Sequence, residues 1–180
     1  TGLCAIHPHT NCLGTSMRCV VAYDSVHGST RAVAEAMAEQ AASEGHQAQL
    51  LFVRDNFDGL SVADLLLIGS PTRGGVMTRQ AKAFIDSLDS GVWKGRRVAT
   101  FDTMGPISRN PERRSKVLRG LDDRSKNAAN RMRELLLERG IPVERTMHFP
   151  VLGLWGPIAP EGVRMARGEM HQLLMGGPAL

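Results

Sequence analysis

Short, unbroken apolar runs alternate with amphipathic stretches along most of this chain, and that alternation restricts the fold more than any other feature. Arg18-Cys19-Val20-Val21-Ala22-Tyr23 and Leu65-Leu66-Leu67-Ile68-Gly69 are too short for buried helices and scarcely broken by polar residues, the pattern of strands covered on both faces. Gln47 to Val53, Val98 to Phe101 and Arg145 to Val151 read as three more strands. The Gln47 strand is the least apolar and belongs nearer an edge. Thr30 to Glu44 puts Val33, Ala36, Met37, Gln40 and Ala41 on one helical face, and Gly45 ends it. Thr78 to Leu88 turns Ala81, Phe84, Ile85 and Leu88 inward. Asn127 to Arg139 carries a stripe of Met132, Leu135 and Leu136 before Gly140-Ile141-Pro142 stops it. Glu161 to Met175 closes the series. Five strands alternating with helices predict an α/β fold, an open parallel sheet with helices on both faces.

The length of 180 residues suits one domain with a full core. No apolar run reaches the roughly 20 residues that span a bilayer, and no basic stretch precedes Arg18 as a secretory signal requires. A cytoplasmic location is expected. Residues 1–16 lack periodicity and read as a leader or a non-native extension before Met17, with the domain over 17–175 and a tail at 176–180. Cys4, His7, His9 and Cys12 are soft ligands, but their spacing is not that of paired zinc ligands, so no metal is expected. Three cysteines leave an odd number, so no disulfide framework is expected, and Cys19 reads as a core residue. The net charge of +4 is concentrated: between Arg109 and Arg139 ten Lys/Arg stand against five Asp/Glu, and elsewhere twelve against thirteen. That segment is either a solvated helix face or a docking surface for an acidic partner or a phosphorylated nicotinamide cofactor. No nucleic-acid partner is expected.

In doubly wound sheets ligands bind beyond the carboxyl ends of the strands, where strand order reverses. The loops after the first, third and fourth strands therefore carry the interest. The first, Ser25-Val26-His27-Gly28-Ser29-Thr30, places three hydroxyls around a glycine in a strand-to-helix turn. One hydroxyl would be a helix cap; three around a glycine favour an anion site, where free amides at the helix start donate to a phosphate. Neither G-x-G-x-x-G nor Gly-Lys-Ser/Thr is present, so the natural ligand is a monophosphate.

Tyr23-x-Ser25-x-x-Gly28-x-Thr30-x-x-x-Ala34-x-x-Met37 is similar to the signature of flavodoxins, whose first loop wraps the phosphate of FMN. The resemblance implies a three-layer sandwich with a five-stranded parallel sheet in order 2-1-3-4-5. It also implies phosphate contacts from Ser25, Val26, His27, Gly28, Ser29 and Thr30. His27 stands where flavodoxins usually have Thr or Ser. That variant resembles flavodoxin-domain proteins related to menaquinone-dependent protoporphyrinogen oxidase, and its imidazole either meets the phosphate or faces solvent. Gly69-Ser70-Pro71-Thr72-Arg73-Gly74-Gly75 resembles the isoalloxazine-cradling loop of flavodoxins and related quinone reductases, which implies flavin contacts from Pro71, Thr72, Arg73, Gly74 and Gly75. Arg73 would stabilise an anionic reduced flavin or be simply exposed. Phe101-Asp102-Thr103-Met104-Gly105-Pro106 is similar to a Phe-Asp-Thr stretch of small bacterial and archaeal flavodoxin-domain proteins, implying Asp102, Thr103, Met104 and Gly105.

The second and third loops lack the aromatic ring that many flavodoxins stack on the flavin. Its place falls to Met104 or Arg73, to a second subunit in a homo-oligomer, or to Trp155 from the last loop; otherwise flavin binding is lost. Carrier flavodoxins are acidic, whereas this chain is basic. No nucleophile–base pair stands out, so no catalytic residue is assigned. The leading expectation is an FMN redox protein moving electrons between a reductase or reduced cofactor and a partner protein or small acceptor. The alternatives are an NAD(P)H- or quinone-dependent FMN oxidoreductase, quinone-reductase-like or protoporphyrinogen-oxidase-like, and a flavin-free binding domain.

Overall fold

Alternate residues of each inner strand meet different layers of helices, because successive side chains of a strand point to opposite faces. The computed structural model describes residues 16–55, 59–119, 126–153 and 155–176. In β1 (Arg18–Tyr23), Cys19, Val21 and Tyr23 join one core, while Val20 and Ala22 join the other. In β3 (Leu65–Pro71), Leu65 and Leu67 go with the first set, Leu66 and Ile68 with the second. The first core is closed by α1 (Ser29–Ser43), through Val33, Ala34, Met37 and Ala41, and by α6 (Pro160–Leu174), through Ala166, Met170 and Leu173. The second is closed by α2 (Arg79–Ser87), through Ala81 and Ile85, and α5 (Ala128–Glu138), through Ala129, Met132 and Leu136.

The remaining strands, β2 (Gln47–Phe52), β4 (Arg97–Ile107) and β5 (Arg145–Leu152), complete a five-stranded sheet in the order β2-β1-β3-β4-β5. All four neighbouring pairs are parallel. The order reverses at β1, which lies between β2 and β3, so the ends of β1, β3 and β4 open onto the switch point. The predicted fold and the edge position of β2 are what the chain adopts. No helix is long and apolar enough to cross a membrane among the described residues. The Cys4–Cys12 cluster lies outside them.

Three local differences separate the structure from what the sequence predicts. The largest is β4, which continues through Asp102, Thr103 and Met104 to Ile107, pairing with His148, Phe149, Pro150 and Leu152 around an irregularity between Met104 and Ile107. Polar residues at 102 and 103 look like a loop in sequence, yet both are buried and hydrogen-bonded. Short elements also appear at Leu60–Val62, a 3-10 turn, and at α3 (Ser90–Trp93). Finally, the basic segment contains a separate helix, α4 (Pro111–Leu118), whose Asn110 cap accepts from the Glu112 and Arg113 amides. On α4 the guanidinium of Arg114 is buried against Glu161 of α6, with Nε–O distances of 3.0 and 3.1 Å and an Nη2–O distance of 2.9 Å. One cation of the basic segment is therefore structural.

Gly69 pairs between Tyr23 and Phe101, and a Cβ there would stand 2.1 Å from Phe101 Cζ. Gly69→Ala should therefore cost about 1–3 kcal/mol, read as a lower denaturation midpoint, and Phe101→Leu should recover part of the loss in the double variant. A neutral Gly69→Ala would mean that the ring does not lie on this glycine. The Arg114 hydrogen bonds hold the Glu161 carboxyl below the usual carboxylate range. A depressed folded pKa stabilises above the unfolded pKa, and the contribution is lost as pH falls through the folded value. Glu161→Gln should accordingly cost about 1–2 kcal/mol at neutral pH and show a shallower loss of stability on acidification. Parallel urea midpoints of the two proteins from pH 7 to pH 3 give both readouts.

Candidate functional site

The first loop leaves β1 at Tyr23 and enters α1 at Ser29. Ser25 Oγ accepts from the amides of Gly28 (3.1 Å) and Arg31 (3.4 Å), so this hydroxyl shapes the turn. Gly28 is the N-cap and offers no side-chain cap, and the amides of Ser29 and Thr30 find no acceptor among the described residues. Thr30 Oγ1 lies 2.9 Å from Thr103 Oγ1 in a buried contact that ties the loop to β4. Ser29 Oγ is different: it is buried and has no partner among the described residues. The last loop passes beside it, since a Cβ on Gly156 would stand 2.8 Å from that oxygen. A buried hydroxyl left unpaired costs about 1–3 kcal/mol, which an acceptor on a ligand would relieve.

The second loop is fixed from beneath. Thr72 donates its amide to Thr103 O (3.0 Å) and its hydroxyl to Asp102 Oδ2 (2.8 Å), while accepting from the Ala128 amide (2.8 Å). Asp102 Oδ2 also accepts from the Ala129 amide (3.1 Å), and Oδ1 lies 2.9 Å from His148 Nδ1. The fully buried Asp102 carboxylate thus caps α5, where a negative charge is favoured, and joins β4, β5 and the second loop. Beyond Thr72, Arg73 and Val76 exchange two backbone hydrogen bonds of 3.0 and 3.1 Å across Gly74 (φ 58°) and Gly75 (φ 82°). Two positive φ values in a two-residue turn are what a type I′ hairpin requires, and glycine supplies both without strain.

That hairpin presents Arg73 to the first loop. Arg73 Nη2 donates to His27 Nε2 at 2.7 Å; a guanidinium only donates, so the imidazole proton sits on Nδ1. Trp155 of the last loop completes the group. Its ring centroid lies 4.6 Å from that of His27, in an edge contact, and 5.6 Å from the Arg73 guanidinium carbon.

These segments enclose a cleft of about 350 Å³, lined by Val26, His27, Ser29 and Thr30, by Pro71, Thr72, Arg73 and Gly74, by Thr103, Gly105 and Pro106, and by Val151 and Trp155. A volume of that size lies at the lower end of small-ligand pockets. Ten of the fifteen cofactor contacts expected from the sequence line it, and so does Trp155. Five do not. Ser25 and Gly28 form the turn behind the wall. Gly75 backs onto Lys126, Asp102 lies buried under Thr72, and Met104 packs with Ile107, Val117 and Leu118. Met104 thus covers nothing in the cleft, whereas Arg73 and Trp155 stand at its mouth. Pro106 and Val151 are lining residues that the sequence does not single out. Val151 is buried in β5 and bridges to Ile158, a pairing with no short-range signal in the sequence.

The sequence model of a family described as Flavodoxin domain matches residues 20–146, more than half of the chain. No curated protein matches the sequence. Among solved structures, a flavodoxin from the domain Archaea is similar with a TM-score of 0.65 at 19% identity, over 89% of this chain and 98% of that one. Oxidised flavodoxin 2 from Bacillus cereus is similar with a TM-score of 0.64 at 21% identity, over 88% and 99%. Rubredoxin oxygen:oxidoreductase from Desulfovibrio gigas matches with a TM-score of 0.60 at 19% identity, over 88% of this chain and 35% of that one. At such identities the structures speak for the fold, and the family match speaks for descent: the chain belongs to the flavodoxin domain family.

Proposed function

We propose that this protein binds FMN in the cleft at the ends of β1, β3 and β4 and transfers electrons between a reductase or reduced cofactor and a partner protein or small acceptor. The observation that carries this reading is Ser29 Oγ, a buried hydroxyl without a partner among the described residues, beside the Ser29 and Thr30 amides at the start of α1, which find no acceptor among them either. A phosphate there would accept from that hydroxyl and from the Ser29 and Thr30 amides, with the helix dipole adding favourable potential. The wall made by Pro71, Thr72, Gly74 and Gly105 would flank the ring system, and residues 17–175 form the holding unit. FMN, when bound, supplies the redox chemistry itself.

The chain's own part is to position and shield. One of the Thr30 and Thr103 hydroxyls donates to the other, and the Thr72 hydroxyl donates to Asp102, so these lining groups act as fixed supports. This division of labour favours an electron carrier over a substrate-specific enzyme. Anaerobic NAD(P)H titration separates the two: prompt bleaching of the flavin would move the assignment to an oxidoreductase. The exposed cations of the basic segment, among them Arg109, Arg113 and Lys116 around α4, suit an acidic redox partner.

Added FMN should bind with a shifted flavin absorption band and quenched flavin fluorescence. Ser29→Ala removes no side-chain hydrogen bond among the described residues, so its thermal stability should hold or rise. Its FMN affinity should nevertheless fall about tenfold, the lower end for a hydrogen bond to a charged group. Riboflavin, lacking the phosphate, should bind both proteins alike. Absence of any FMN binding to the wild-type protein would sink the proposal.

A further inference from the structure

Resting on that reading, we infer that Arg73 of the second loop is the counter-charge of the ligand's phosphate, and so makes the cleft selective for a phosphorylated flavin. A phosphate monoester carries about −1.5 to −2 at neutral pH. The first loop meets it with neutral donors and a helix terminus worth about half a charge. Most of the anion's charge is left unbalanced by that loop alone.

Two arginines beside the first loop, one just after it and one on Asp24 just before it, are engaged elsewhere. Arg31 is paired with Glu35 at 2.7 Å, and Arg54 with the buried Asp24 at 3.2 Å. Arg73 has no carboxylate partner among the described residues: its guanidinium meets only the neutral acceptor His27 Nε2 and the face of Trp155. One of its five N–H groups is used there, which leaves four for an anion.

Its position supports the same role. The guanidinium reaches across the cleft to the phosphate loop, 46 residues away in sequence, instead of lying along its own hairpin. It touches His27 and Trp155, and the residue after Trp155 is the glycine packed beside Ser29 Oγ. The hydroxyl without an acceptor and the cation without a carboxylate therefore belong to one corner of the cleft. The Arg73–Val76 hairpin holds the backbone in place, so the side chain starts from a fixed base. An arginine serving the flavin ring would instead change how the ring is held or reduced, and the two roles give different results.

The experiment compares FMN and riboflavin binding to the wild-type protein, Arg73→Gln and Arg73→Lys by fluorescence titration at low and high salt. Arg73→Gln should weaken FMN about tenfold and leave riboflavin unchanged, because one charge-assisted contact at a partly exposed site is lost. Arg73→Lys should retain part of the affinity. The salt dependence of FMN binding should flatten in Arg73→Gln. Unchanged FMN affinity in Arg73→Gln overturns the inference. An equal loss for both ligands also overturns it, since Arg73 would then act on the ring or the loop. A circular dichroism melt of each variant checks that the fold survives. If the wild-type protein binds riboflavin and FMN equally, the phosphate site itself is refuted; if it binds neither, the functional reading fails, and the two failures are thereby told apart.

Discussion

A sheet covered on both faces accepts a polar side chain only where a partner is already in place, and that constraint divides this molecule. The inner strands begin apolar: Cys19 to Ala22 in β1, Leu65 to Ile68 in β3 and Val98 and Ala99 in β4 are buried with nothing to satisfy. Their far ends carry the polar residues, with Asp24 after β1, Ser70 in β3, and Thr100, Asp102 and Thr103 in β4. Arg145 at the start of β5 is the exception, matched by Glu169 and Gln172 of α6 at 2.8 Å each. Polar groups buried at one end of a sheet need hydrogen bonds there, and they draw loops and helix termini over themselves. Asp102 shows how far this reaches. Its carboxylate engages Thr72, the α5 amide of Ala129 and His148, so a single buried charge fixes the second loop, a helix start and the edge strand together.

The same division explains which parts of the molecule are legible in the sequence. Runs such as Leu65–Ile68 leave no alternative to a strand with two covered faces, and the alternation of strands and helices then gives the sheet. Ser29 and Gly28 carry their meaning locally, since a strand-to-helix turn is a short-range feature. Asp102 and Thr103 mislead for the opposite reason. Their partners lie 30 and 73 residues away, so the polarity that marks a loop in one dimension marks a satisfied strand in three. Arg114 misleads in the same way, because its partner Glu161 is 47 residues distant. Helix α4 has local signals, an Asn110 cap and Pro111 at the first turn, but the surrounding charge makes the segment look like a solvated face.

The first loop is joined to the others that form the cleft through side-chain contacts, whereas the second is also tied to β4 by the Thr72 amide. Thr30 meets Thr103, Arg73 meets His27, and Gly156 lies against Ser29. Each contact joins two segments from different strand ends. None of them is visible in a loop read alone, which is why the sequence presents Trp155 as a cover for a missing ring, and Arg73 as a cover, a partner of the reduced flavin or an exposed side chain.

That joinery changes what the Ser25–Thr30 turn is. Read as a sequence it is a self-contained phosphate cradle, with three hydroxyls and a glycine. In the folded chain the three hydroxyls part ways. Ser25 closes the turn, Thr30 ties it to β4, and Ser29 lines the cleft with no partner among the described residues. The turn supplies shape, two amides with no acceptor among the described residues and one hydroxyl, but no charged side chain. The cation proposed to balance the anion is Arg73 from the second loop, on a hairpin whose base is held by Thr72 and therefore by Asp102. On the proposed reading, anion binding at the first loop would depend on a buried carboxylate two strands away in the sheet, through hydrogen bonds that can each be named.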